Sequence, residues 1–443
     1  MDSDDIDIAI NRMTGEAFAQ GLLDSRKIES AGATIASNPE QSKHLATTKI
    51  KLLDYEVDLV NLRSESYTED SRIPEIAFGT PQEDAERRDL TINAMFYNVH
   101  SRAIEDLTGK GIEDLKSGRI RTPLDPKTTF EDDPLRILRC VRFASRLGFD
   151  VAESISIAAK EPEIQTRLAT KISRERIGIE IEKMIKGPDP LYAISLLHSF
   201  DLLPAILTAT PHALETADSE VGSMQRAVDG LRTVELLLSS NDKLPALSPS
   251  LLEVVQNDKS TRARIRLAAL LTPFRWILFE EKKKKIPLVD SVIRDGLKLG
   301  SMNFYLNGIP PLFKGAELIR KGFPDPLTTG SRAQIGILLR NTSIHYPVVG
   351  AEWSSSLFFA LVQEVVDCWS DEGLDEVKAS ECIQRYNSLA ETIQRYNLAE
   401  SIKAPPIIDG KIVCHTLNIR PGPHMGPIMD RIIHWQLENP DKD

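Results

Sequence analysis

The sequence predicts an α+β protein in which a small N-terminal sheet domain is followed by a long, all-helical remainder. Three observations carry that expectation. Between Met1 and about Val99, short β-type runs alternate with polar helical stretches. From Asp133 onward the apolar residues recur at three-and-four spacing, the mark of one-sided helices. The length, 443 residues, exceeds what one ordinary core organises, so two to four domains are expected.

The elements follow in order. Ile6, Ile8 and Ile10 alternate with Asp5, Asp7 and Ala9, the period-two pattern of a half-buried strand, so Asp5 and Asp7 share a face. Val57 to Leu62 is a second β-type run and Thr91 to Val99 a third. Between them, Ser64 to Glu86 has only scattered apolar residues and reads as a loop long enough to be functional. Asp133 is a good N-cap, Pro134 suits the first helical position, where its missing N–H costs nothing, and Gly148 should stop that helix. Tyr192 to Leu203, Arg262 to Leu271 and Leu357 to Val366 carry further helical periodicity. Ile383-Gln384-Arg385-Tyr386-Asn387 is echoed ten residues later by Ile393-Gln394-Arg395-Tyr396-Asn397, which reads as a duplication within one helix. Pro405 to Pro427 is rich in Pro and Gly, and a last helix carries Trp435.

Composition sets limits. Hydrophobic residues at 41% and charged residues at 27% argue against wholesale disorder. No apolar run reaches the roughly 18 to 20 residues that cross a bilayer, and the nearest, Ile265 to Phe279, is interrupted by Arg266 and Arg275, so no membrane association is expected. Cys140, Cys368, Cys382 and Cys414 share no metal-ligand spacing, and the N-terminus does not resemble a secretory signal, which points to a reducing compartment. A net charge of −11 excludes a protein that coats nucleic acid through bulk electrostatics; any RNA must meet a local patch. The basic run Lys282 to Lys285, after Glu280-Glu281 and before Ile286-Pro287, reads as a solvated loop, with an RNA contact as the alternative.

Three constellations carry chemistry. Asp5 and Asp7 lie roughly 7 Å apart along one strand face. With a third acid from a neighbouring strand, for which Asp58 is the candidate, they could bridge two hard cations; an acidic, frayed terminus is the competing reading. In Arg87-Arg88-Asp89-Leu90-Thr91-Ile92-Asn93-Ala94, Arg88 could pair with a triphosphate while Asp89 and Asn93 offer an acceptor and a donor to ribose hydroxyls, although Arg88 and Asp89 could also form a plain ion pair. In the helix from Asp133 to Phe143, Arg136, Arg139, Arg142 and Arg146 fall on one face, either a nucleotide-facing or a solvated basic stripe.

Together with Asp106-Leu107-Thr108-Gly109, Ile120-Arg121-Thr122 and Ser173-Arg174-Glu175-Arg176-Ile177 through Met184, these motifs occur in the order seen in class II tRNA nucleotidyltransferases, the CCA-adding enzymes. The chain resembles that family strongly from about Asp4 to Leu203. The resemblance returns at Pro405 to Pro440, where Gly422-Pro423-His424-Met425-Gly426 and Trp435-Gln436-Leu437 look like the eukaryotic tail; Gly79-Thr80-Pro81 is similar to the plant and fungal branch. The resemblance implies a polymerase-beta-like nucleotidyltransferase head at 1–105, a base-selecting neck at 106–186, a helical body at 187–330 and a tRNA-binding tail at 331–443. It implies Mg2+ held by Asp5 and Asp7, with Asp58 completing the catalytic acids. Arg88, Asp89 and Asn93 would bind ribose and triphosphate, Asp133 and Arg136 would select the base, and Arg139 and Arg142 would support the nucleotide. The implied partners are the 3′ end and acceptor stem of tRNA, with CTP and ATP as substrates, in cytoplasm and nucleus and with the mitochondrion as a further compartment. The family's Gly-Gly-x-Val-Arg-Asp turn, normally ahead of the paired aspartates, has no counterpart after Met1. A start site set too far downstream is the expectation there, and a shortened paralogue the alternative. An enzyme adding only CC or only A, a poly(A) polymerase and an inactive RNA-binding relative are the other functions considered.

Overall fold

The computed structural model describes residues 6–25, 36–37, 48–52, 55–66, 75–239, 243–300, 304–322, 331–350 and 352–440. The chain forms two compact units, Met1–Ser173 and Arg174–Asp443.

The first unit is built on a four-stranded sheet. Its strands are β1 (Ile6–Ile10), β2 (Ala36–Ser37), β3 (Thr48–Leu52) and β4 (Tyr55–Asn61), in spatial order β1-β4-β3-β2. β1 runs parallel to β4, whereas β3 is antiparallel to both β4 and β2. The period-two pattern read from the sequence decides which face is packed. Ile8, Ile10, Val57, Leu59 and Ile50 turn one way and pack with Phe18, Ala19 and Leu22 of α1 (Gly15–Asp24). Leu59 is fully buried, a contribution of about 1.5 to 3 kcal/mol from its side chain alone.

After β4 the chain departs from the loop expected at Ser64 to Glu86 at both ends of that segment, whose middle, 67–74, lies outside the described residues. A hairpin of β5 (Arg63–Ser66) and β6 (Glu75–Phe78) leads into α2 (Pro81–Glu86). A capping box fixes the start of α2: Thr80 Oγ1 accepts the Glu83 N–H at 3.2 Å while Glu83 Oε2 accepts the Thr80 N–H at 2.7 Å, and Pro81 opens the helix. The third β-type run is also only part strand. Thr91–Asn93 forms a 3-10 turn, and β7 (Phe96–Asn98) then pairs with β8 (Ala103–Glu105). α3 (Gly111–Ser117), α4 (Pro126–Asp132) and α5 (Leu135–Leu147) follow, with β9 (Arg119–Ile120) and β10 (Asp150–Val151) paired in parallel. Asp133 Oδ1 accepts the Leu135 N–H at 3.1 Å, and Gly148, at φ 68°, ends α5 as expected. The basic stripe expected along α5 is not solvated, however. Arg136 is only 8% exposed, Arg139 and Arg142 are half-buried, and Arg146 alone of the four is exposed, because Leu135, Ile137, Leu138, Cys140, Val141 and Ala144 make this a core helix.

The second unit is helical, as expected, but among its described residues two antiparallel hairpins interrupt the helices. β11 (Leu278–Glu281) pairs with β12 (Lys284–Pro287), and Trp369–Ser370 pairs with Gly373–Leu374. The Lys282 to Lys285 run is therefore no irregular loop: Lys282 and Lys283 form the turn of the first hairpin, and Lys284 and Lys285 begin β12. The duplicated pentapeptide does not lie within one helix either. The helix Glu376–Arg395 ends inside the second copy, where Asn397 adopts φ 49°. The helix Arg174–Lys186 is seated by two residues on one of its faces. Arg174 donates to the carbonyls of Gly296 at 2.6 Å, Ala205 at 2.9 Å and Ile206. At Gly178 a Cβ would stand 1.8 Å from the carbonyl oxygen of Leu297, so only glycine admits this approach.

Candidate active site

The parallel register of β1 and β4 puts Asp7 directly opposite Asp58. Ile8 beside Asp7, and Val57 and Leu59 on either side of Asp58, pack with α1, so the two carboxylates emerge together on the other face, on strands about 4.8 Å apart. Like charges at such a pair repel and require a cation. Lys49, opposite Asp58 on β3, supplies one in part, with Nζ 3.4 Å from Asp58 Oδ1. Carboxylate oxygens on adjoining strands are the donor set that a hard divalent cation such as Mg2+ takes, so the residues present fit one. Asp5, the other half of the expected pair, lies outside the described residues. Among the described residues no group of three or more His, Cys, Asp or Glu side chains gathers as a metal cage.

Leu62 ties this sheet to the arginine cluster. Its N–H donates to the carbonyl of Ile10 at the end of β1, at 3.3 Å, and its carbonyl accepts the N–H of Gly79 just before α2, at 3.1 Å. Gly79 is required there, since a Cβ would lie 2.5 Å from the backbone of Arg63 and Ser64. On α2, Asp84 is 1% exposed and receives two guanidinium groups. Arg88 donates to Oδ2 through Nε at 3.1 Å and Nη2 at 2.9 Å; Arg87 donates to Oδ1 through Nε at 3.0 Å and Nη2 at 2.5 Å. The N–H of Arg63 adds a further bond at 3.2 Å, and Arg87 Nε also reaches the Arg63 carbonyl at 3.1 Å. Burial pushes the Asp84 carboxyl up, but the two guanidinium groups more than reverse this and hold it below the usual carboxylate range. Arg88 is thereby fixed as a fork, with its Cζ 5.7 Å from the centre of the Phe96 ring.

Asp89 is the junction with α5. It is 7% exposed, with Oδ2 accepting from Arg139 Nε at 2.6 Å and Oδ1 from Asn93 Nδ2 at 3.3 Å. The plain Arg88–Asp89 ion pair considered from sequence gives way to a different pairing: Arg88 with Asp84, and Asp89 with Arg139. On the same helix Arg142 stacks on Phe143, Cζ to ring centre 4.3 Å. Asp133 is pinned at the start of α5 by its bond from Leu135, one turn before the buried Arg136. Asp114, fully buried, accepts from Thr91 Oγ1 at 2.6 Å and Arg121 Nη2 at 2.6 Å and so locks the 3-10 turn carrying Asn93 to α3 and β9. Cys140, on the core side of α5, is fully buried, and burial raises its thiol far above the normal range, leaving it inert.

Sequence reasoning missed Asp84 and Asp114. Asp84 had a usable signal, because it precedes Arg87 and Arg88 by three and four residues, the spacing at which helical side chains meet. Asp114 had none; its partners are 23 and 7 residues away in sequence.

Known proteins resemble this chain along its whole length. A family model described as the poly A polymerase head domain matches residues 1–121, and one described as the probable RNA and SrmB-binding site of polymerase A matches residues 158–214. The mitochondrial CCA tRNA nucleotidyltransferase of Saccharomyces cerevisiae is 37% identical over 99% of this chain and 82% of its own length. The tRNA nucleotidyltransferase cca1 of Schizosaccharomyces pombe is 33% identical over 100% of this chain and 86% of its own. Among solved structures, an apo CCA-adding enzyme superposes with a TM-score of 0.63 at 19% identity, covering 100% of this chain and 85% of that one. The Thermotoga maritima CCA-adding enzyme complexed with tRNA gives 0.57 at 18%, with the same coverage. At those identities the structural likeness bears on the fold, which is that of an α+β nucleotidyltransferase head with a helical body.

Proposed function

The chain belongs to the class II CCA tRNA nucleotidyltransferase family, and from that premise we propose how its residues perform the family's reaction. The protein is a tRNA nucleotidyltransferase that adds C, C and A to the 3′ end of tRNA from CTP and ATP and releases pyrophosphate. The terminal ribose hydroxyl of the tRNA attacks the α-phosphate, and positioning with charge neutralisation supplies the rate.

Asp7 and Asp58, with Asp5, hold Mg2+ on the open face of the sheet. The metal, when bound, favours the ionised form of the attacking hydroxyl and neutralises charge on the departing pyrophosphate. Arg88, held by Asp84, presents a fixed cation to the triphosphate. Asp89 and Asn93 meet the ribose, and Arg139 orients Asp89 from the helix that also carries the base-reading pair. Asp133 accepts from cytosine N4 or adenine N6, while Arg136 donates to cytosine N3 or adenine N1; guanine and uracil offer the opposite pattern at those positions. Arg142 supports the nucleotide from the same helix.

The observation that supports this reading best is Asp7 in register with Asp58 on a face turned away from the core. We assign the head to 1–105, the base-selecting neck to 106–186, the body to 187–330 and the tRNA-binding tail to 331–443. Among the described residues no helix is long and apolar enough to cross a membrane. The yeast relative is named mitochondrial, and we propose the mitochondrion along with cytoplasm and nucleus for this chain. Supplying CTP, ATP, GTP and UTP singly and in pairs to tRNA ending at the discriminator base tests the reading. CTP alone should give two additions, ATP alone none, CTP with ATP three, and GTP or UTP none. Extension only by CTP, or only on tRNA already ending in CC, would replace it with a CC-adding or A-adding specialist.

A further inference from the structure

We propose that the tip of the β11–β12 hairpin, Lys282 to Lys285, is a binding site for the phosphate backbone of RNA; the inference rests on the reading that tRNA is the substrate. Four consecutive lysines here are all exposed in a chain whose net charge is −11. Among the described residues no ion pair engages any of them. The nearby acids are used differently: Glu281 at the end of β11, Asp290 and Asp295 converge on Arg294 at 3.0 Å each. Across the ladder Glu280 stands opposite Lys285 and Glu281 opposite Lys284, but Glu281 is bonded to Arg294 and neither acid is within ion-pair distance of a lysine among the described residues.

The backbone of the turn gives a second, independent indication. Lys282 and Lys283 take φ of 50° and 63°, the left-handed pair that a two-residue hairpin turn demands and that Asn-Gly fills with least strain. Two lysines in these positions give up local stability, a pattern found where the side chains serve function. The strand leading to the tip is also anchored to its neighbours. Phe279 is buried, Leu278 and Asp218 exchange two bonds at 2.9 and 3.0 Å, and His212 Nε2 is 3.1 Å from the Glu280 carbonyl. That last contact comes from the helix Pro211–Glu215, the end of the segment 158–214 that matches the RNA-binding family model. An exposed cluster of ammonium groups, without an ion pair among the described residues and beside that segment, suits a polyphosphate backbone, which binds by charge and is indifferent to base sequence.

The test is equilibrium binding of a tRNA transcript lacking CCA to the full chain over a range of KCl concentrations. One variant carries Lys282→Asn, Lys283→Gly, Lys284→Gln and Lys285→Gln, so that the turn keeps or improves its backbone fit. A second carries arginine at all four positions. The first should bind tRNA about tenfold more weakly or worse near physiological salt, with the slope of log K against log salt shallower by about 2 to 3, as expected from the loss of three or four phosphate contacts. The arginine variant should bind as the parent does, and KM for CTP should not move. A folded first variant with the parent's affinity and salt slope overturns the inference and leaves the proposed activity standing. A parent that binds tRNA with the expected lysine dependence yet adds no nucleotide overturns the activity and leaves this site standing. A parent that does not bind tRNA overturns both.

Discussion

Replacing Asp84 by asparagine keeps its volume and removes the charge on which Arg87 and Arg88 converge. The carboxylate is 1% exposed, and the two guanidinium groups occupy both of its oxygens. An amide keeps one acceptor, so one fork remains bonded and the other faces an NH2 group. Breaking a buried pair costs about 3 to 5 kcal/mol when the abandoned charge stays buried. The side chains of Arg87 and Arg88 are 17% and 30% exposed. Water can therefore take up part of that loss, leaving about 2 to 3 kcal/mol. In a unit the size of Met1–Ser173 this lowers the midpoint of its thermal transition by about 5 to 10 °C. The sign with pH follows from the depressed carboxyl. Its stabilisation is complete above the unfolded value of about 3.9 and is lost as pH falls through the lower, folded value. The difference in stability between parent and D84N should therefore be full at neutral pH and vanish in strong acid. Released from its anchor, Arg88 should also raise KM for CTP and ATP about tenfold, a loss near 1.4 kcal/mol, while tRNA affinity holds. Calorimetry across pH together with steady-state kinetics checks both arms. A D84N protein with the parent's melting curve and nucleotide KM would refute the argument that this carboxylate fixes the arginine fork.

The other expectations concern single links in the same chain of contacts. Asp58→Asn should lower kcat by at least about 100-fold without weakening tRNA binding, as read by single-turnover extension beside a binding titration. Arg139→Gln removes the 2.6 Å bond to Asp89; the loss of a charged hydrogen bond should raise nucleotide KM by about 10- to 100-fold, visible for CTP and ATP alike. Gly178→Ala places a Cβ 1.8 Å from the Leu297 carbonyl. It should destabilise the second unit by about 3 kcal/mol, seen as a lower denaturation midpoint with nucleotide KM unchanged in the folded protein.

What the sequence disclosed follows the range over which its signals act. Period-two alternation spans a few residues, and it placed β1 and set Asp7 on the face opposite Ile8 and Ile10. The β1–β4 register, which brings Asp58 beside Asp7, joins residues some fifty positions apart; the residues offered Asp58 as a candidate acid from a neighbouring strand, but no local signal set the register. The same separation hid the Arg139–Asp89 bond and left the basic face of α5 open between a nucleotide-facing and a solvated stripe, whereas the fold buries Arg136. Turn chemistry misled twice. Lys282-Lys283 carries no Asn or Gly to mark a hairpin, and Asn397 ended a helix that the repeated pentapeptide seemed to continue. Pro81 and the Thr80–Glu83 box, by contrast, were local signals of α2 that could have been read from the sequence.

The roles given to these residues all meet in one reaction, CCA addition. A tRNA transcript ending at its discriminator base, incubated with the purified chain, CTP, ATP and Mg2+, and then sequenced at its 3′ end, measures that reaction directly. The product should end in CCA with no fourth nucleotide, and Asp7→Asn should abolish it. Unextended tRNA from folded protein that still binds it, or a run of added A in place of CCA, would contradict the account.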